Sequence, residues 1–185
     1  MKHWWVGSII LVLVGCNKAD DRMPLAVGNT WSAHSRDSFR ELVESIKVTR
    51  SISVAGVSGF ELSGPLGVSR IAFRDGRLVA DQLGITRFSP PIPLLLPGPS
   101  AQTAWTGTVA SPAGSESTEA RLDQIEDKLE IDGKKVNTTK TVLTFKIRGK
   151  DLELTTWFRA GIGIARQEQR LDGKLIVSFD TISGP

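Results

Sequence analysis

Three Asp-Gly pairs, each set between short β-prone runs, constrain this chain more than any other feature. Ile71-Ala72-Phe73 precedes Asp75-Gly76 and Leu78-Val79 follows it. Leu129 and Ile131 precede Asp132-Gly133, with Val136 beyond; Leu171 precedes Asp172-Gly173, with Leu175-Ile176-Val177 beyond. A two-residue hairpin loop needs positive φ at both central residues, which Asp and Gly tolerate, so each pair predicts a tight antiparallel hairpin. Arg148-Gly149-Lys150-Asp151 predicts a fourth turn, joining Thr141–Ile147 to Leu152–Phe158. Both of those runs alternate. Leu143, Phe145 and Ile147 share one face, as do Leu152, Leu154, Thr156 and Phe158, against Glu153, Thr155 and Trp157 on the other. Apolar residues on both faces near the strand ends imply a curved sheet. The expected fold is all-β with at most one short helix: an antiparallel meander curved into an open or half barrel.

Two stretches stand apart from the hairpins. Over Thr118–Leu129, Leu122, Ile125 and Leu129 fall at helical spacing behind Ser115 or Ser117 as N-caps, yet the same residues read equally as two short strands turning at Glu126-Asp127. Residues 89–100 carry Pro90, Pro91, Pro93, Pro97 and Pro99, which lack backbone donors and argue against a helix or a central strand. Ile92, Leu94, Leu95 and Leu96 make the segment too apolar for a solvated loop. It reads as a crossover packed on the core, a flap over an apolar cavity, or a polyproline segment for a partner.

The N-terminus has the layout of an export signal. Lys2 supplies a positive charge, and Val6 to Val14 form an apolar or small run. Nine helical residues reach about 14 Å, half of a hydrocarbon core of about 30 Å, so the run suits a signal peptide rather than a spanning helix. Leu13-Val14-Gly15-Cys16 resembles the lipobox cut by the lipoprotein signal peptidase, which implies acylation of Cys16, the only cysteine. Residues 1–15 are then the signal, 16–23 a lipidated tether, and 24–185 a single β domain. In enteric-type sorting an aspartate after the cysteine retains a lipoprotein at the inner membrane; Asn17 here implies the outer membrane, facing the periplasm.

Composition narrows the chemistry. Removing the signal takes away one charge, Lys2, from a net +3, and no basic run exceeds Lys134-Lys135, so no nucleic-acid partner is expected. His34 is the only histidine left after the signal. With one imidazole and no free thiol, neither a metal site nor a nucleophilic triad is expected. The acidic residues between Glu116 and Asp132 are interleaved with Arg121 and Lys128, as on a solvated face. No cofactor and no catalytic residue is expected, and the chain does not read as an enzyme. Trp31, Trp105 and Trp157 read as core aromatics or, if the curved sheet encloses a hollow, as its ligand-binding lining.

Two motifs resemble a known group. Pro24-Leu25-Ala26-Val27-Gly28-Asn29-Thr30-Trp31 resembles the opening of bacterial envelope lipoproteins of unknown function, and Trp157-Phe158-Arg159-Ala160-Gly161-Ile162-Gly163-Ile164-Ala165-Arg166-Gln167-Glu168 resembles their closing motif. The resemblance implies a shape similar to the half-barrel of lipoprotein localisation factors, a curved sheet around an apolar hollow. Within the closing motif, Gly161 and Gly163 predict a bulge or tight bend, and Arg166 and Glu168 share a strand face where they could pair. The expected function is that of a membrane-anchored binding module for an apolar or lipid ligand; the alternative is a structural lipoprotein docking an envelope protein.

Overall fold

The computed structural model describes residues 20–37, 40–65 and 67–185. These residues form twelve strands and, among them, no helix. In chain order they are β1 (Thr30–Asp37), β2 (Glu41–Val54), β3 (Val57–Gly64), β4 (Gly67–Arg74), β5 (Arg77–Leu83) and β6 (Thr86–Leu95). The second half comprises β7 (Ala101–Ser111), β8 (Gly114–Ile131), β9 (Lys134–Ile147), β10 (Lys150–Arg159), β11 (Gly163–Leu171) and β12 (Lys174–Ser183). Each strand pairs antiparallel with the next, and β12 returns to pair with β1. The meander therefore closes. The open or half barrel expected from the sequence is corrected to a closed barrel, which removes the two free edges that an open sheet would leave.

All four predicted turns form. Asp75-Gly76, Asp132-Gly133 and Asp172-Gly173 have φ values of 52° and 73°, 51° and 73°, and 48° and 76°; Arg148-Gly149 has 54° and 71°. Ala55-Gly56 makes a fifth turn of this form, at 51° and 81°, without an aspartate to announce it. Residues 118–129 are strand throughout, inside the unbroken β8. Leu122 is buried and Ile125 exposed, as alternation requires and a shared helical face would not.

The Pro-rich segment is a second correction. Pro90, Pro91 and Pro93 lie within β6, a strand the missing donors argued against. The resolution is that β6 is laddered incompletely on both sides, the β5 register skipping residues 88–91. It follows β5 as far as the Leu78–Leu95 pair, but meets β7 only at Arg87–Ala110, Phe88–Val109 and Ser89–Thr108. Beyond Ser89 the two strands part, so the prolines fall where no ladder is required of them.

Outward positions carry the charges. Arg50 of β2 lies 2.7 Å from Glu61 of β3, and Arg70 of β4 lies 3.6 Å from Asp81 of β5. Arg166 pairs with Asp180 on β12 and Glu168 with Arg170, so the expected Arg166–Glu168 pair is replaced by other partners. Apolar inside and charged outside is the reverse of a membrane-spanning barrel, whose outer band is apolar.

The antiparallel order sorts the loops between two ends. Those after β2, β4, β6, β8 and β10 share the near end, where the N-terminal segment arrives; those after the odd-numbered strands lie at the far end. Residues 20–23, read as tether, are packed onto the near end. The Gly161 N–H donates to the Asp21 carbonyl at 2.8 Å, and Met23 is buried in the main core. From Asp20 onward the chain holds every strand of the barrel and the residues that seal its near end.

Candidate functional site

Inward alternation creates a cavity of 440 Å³. Its floor lies at the near end, where Met23, Trp31, Phe158 and Ile164 meet. Its walls are built by every second residue of the strands, among them Leu143, Phe145, Leu152 and Leu154. It reaches the far end between the loop after β3 and the loop after β5, where Ile85 stands 70% exposed. The mouth therefore faces away from the N-terminal segment. Exposed Leu42, Leu175 and Ile176 lie at the same end, at the starts of β2 and β12.

Of the three tryptophans among the described residues, only Trp31 lines the cavity. Its indole N–H donates to the Ile162 carbonyl in the loop after β10, which pins the ring across the floor. Trp105 closes the gap between β6 and β7 instead. Its indole N–H donates to the Pro90 carbonyl at 3.1 Å, and its ring meets Phe88 edge-on at 6.2 Å. Gly107 makes this possible: a Cβ there would come within 2.4 Å of the Trp105 ring and 2.6 Å of the Ser89 carbonyl oxygen. Trp157 faces outward, packed with Leu129 and Ala165 beneath Lys140, whose ammonium lies 5.1 Å from the ring centre. Its indole donates to Asp127 at 2.9 Å, and this bond, aided by the Lys128 N–H and the Lys140 charge, holds that carboxyl below the usual aspartate range.

The gap below Ser89 is stapled by two further side chains. Buried Gln124 accepts from the Leu96 N–H at 2.8 Å and donates to the carbonyls of Leu96 at 3.1 Å and Gly98 at 2.7 Å. Arg22 donates to the same two carbonyls, at 2.9 and 3.0 Å, while paired with Asp20. Burial alone would raise the Asp20 carboxyl, but the bonds and charge of Arg22 outweigh it and hold the group below its ordinary range.

The remaining sequence candidates lie elsewhere. His34 sits on β1, half exposed, its Nδ1 4.0 Å from Glu41. Among the described residues no group of His, Cys, Asp and Glu is placed to hold a metal ion. Cys16 and the expected signal, residues 1–15, lie outside the described residues. Met23, Gln167 and Gln169 line the cavity without having been singled out as lining. For Gln167 the available signal was its register opposite Thr156, an inward residue on an alternating strand.

No protein-family model and no curated protein matches this sequence. Solved structures do. A candidate lipoprotein of Parabacteroides distasonis ATCC 8503 aligns with a TM-score of 0.56 at 11% identity, over 90% of this chain and 99% of that one. A candidate exported protein with YmcC-like fold from Bacteroides fragilis NCTC 9343 aligns with a TM-score of 0.52 at 10% identity, over 90% and 100%. At such identities the likeness is one of fold.

Proposed function

We propose that this chain is a lipid-anchored envelope protein whose barrel binds an apolar ligand and catalyses no reaction on it. The observation that carries the reading is the apolar cavity, closed at the near end and open at the far end. Its volume falls within the range of about 300–1,000 Å³ typical of small-molecule sites. An apolar hollow of this size forfeits packing on every lining residue, and a bound chain would restore it.

The anchor rests on Leu13-Val14-Gly15-Cys16 and is supported by the shared fold of the candidate lipoprotein and the candidate exported protein. Asn17 favours the outer membrane, facing the periplasm. With the lipid on Cys16, only a few residues ahead of the sealed near end, the mouth would point away from the anchoring bilayer. That orientation suits a ligand received from a carrier or an opposing membrane. Acylation predicts that fatty-acid label enters wild type and not Cys16→Ser.

The binding reading is tested by native mass spectrometry of a soluble form starting at Asn17, isolated from bacteria and then exposed to an acyl probe. An apolar adduct on wild type, lost in Leu154→Arg, is the expected result. A protein that carries no adduct and takes up no probe would end the reading. One feature favours the alternative of a docked envelope protein: Leu42, Ile85, Leu175 and Ile176 stand exposed at the far end. A retained protein partner, released by Ile85→Asp and found with an empty cavity, would favour docking.

A further inference from the structure

One row of uncharged polar side chains crosses the largely apolar interior. Gln124 of β8 lies opposite Thr141 of β9, Thr141 opposite Thr156 of β10, and Thr156 opposite Gln167 of β11. Gln124 and Thr141 are buried. The row emerges into the cavity at Thr156 and Gln167. Gln124 is committed to Leu96 and Gly98. Gln167 donates to the Thr156 hydroxyl at 3.0 Å, and its carbonyl oxygen accepts no hydrogen bond from the described residues. Gln169, one inward step nearer the mouth, lines the cavity with an amide that none of them engages. Thr156 is itself one inward step, about 7 Å, from Phe158 on the floor. Thr156 and Gln167 are therefore deep, below Leu152 and Leu154, while Ser69 and Thr86 line the cavity nearer the mouth.

Three classes of apolar ligand meet this wall differently. A carboxylate or phosphate head would enter a cavity whose described lining carries no charged side chain. Removing an ion from water without a counter-charge is strongly unfavourable. A pure hydrocarbon would strip water from the Gln167 and Gln169 amides and offer no bond in return, leaving buried polar groups unsatisfied. A ligand with one neutral donor or acceptor on an apolar body avoids both costs.

We infer that the ligand is an uncharged amphiphile, such as a long-chain alcohol, ester or amide, held with its polar group inward on Thr156, Gln167 and Gln169. This rests on the cavity reading above and narrows it to a chemical class. The test uses the soluble form starting at Asn17 and two probes with the same chain: dibromostearic acid, at a pH well above that of its ionisation, and its glycerol monoester. Bromine quenches nearby indoles, and Trp31 is the tryptophan on the cavity wall. Trp31→Phe identifies its share of the signal.

The monoester should bind at least about tenfold more tightly than the ionised acid. That ratio should fall towards one in Gln167→Leu/Gln169→Leu, chiefly through weaker monoester binding. Thr156→Val, a smaller change, should reduce the ratio partway and guards against loss of folding in the double variant. Equal or tighter binding of the acid, or an unchanged ratio in folded variants, would overturn the inference and leave the cavity reading intact. Quenching by neither probe would overturn both.

Discussion

Two neighbouring stretches of the barrel wall are closed by opposite means. Between β8 and β9 the backbone ladder runs unbroken from the Ala120–Phe145 pair to the Ile131–Lys134 pair at the Asp132-Gly133 turn. Between β6 and β7 it stops at Ser89–Thr108. There the Trp105 indole, the Gln124 amide and the Arg22 guanidinium bond the carbonyls of Pro90, Leu96 and Gly98 in its place. The first stretch shares its cohesion among many equivalent backbone bonds. The second concentrates it in three side chains, so single substitutions should act very unevenly on the two.

The largest effect should come from Trp105→Ala, which removes the ring between Phe88 and Gly107 and strands the Pro90 carbonyl. A loss of about 3–5 kcal/mol in denaturant unfolding is expected; a loss no larger than that of an exposed β8 substitution such as Arg121→Ala would erase the contrast. Gln124→Leu should cost about 1–3 kcal/mol, because the Leu96 N–H and two carbonyls lose a buried partner. Hydrogen exchange sharpens the comparison: the Leu96 amide should lose protection in this variant while amides along β9 keep theirs. The smallest effect is one of pH. The Asp20 carboxyl is held low in the folded state, so its contribution is full above the unfolded value of about 3.9 and lost as pH falls through the lower folded value. Proteolysis after Arg22 should therefore rise in acid before the barrel unfolds, and Asp20→Asn should show that susceptibility at neutral pH.

The same contrast separates what was legible in the sequence from what was not. The β8–β9, β9–β10 and β11–β12 hairpins could be read because each is local: alternation sets the faces and two turn residues set the register. The β6 strand could not, since a proline is excluded only from a strand laddered on both sides, and β6 is not. Trp31, Trp105 and Trp157 were alike as residues and differ entirely in place. One lies on the floor, one in the seam and one on the outer wall.

Local pattern alone determined the hairpins at the Asp-Gly and Arg148-Gly149 turns and the inward rows of β9 and β10. Those properties depend on the pleat's period and on backbone φ within a few residues. The pairing of β12 with β1, the seam at β6, and the meeting of Thr156 with Gln167 inside the cavity were decided by tertiary structure. Each joins groups whose proximity depends on the curvature or register of several strands together, and no short stretch of chain encodes that sum.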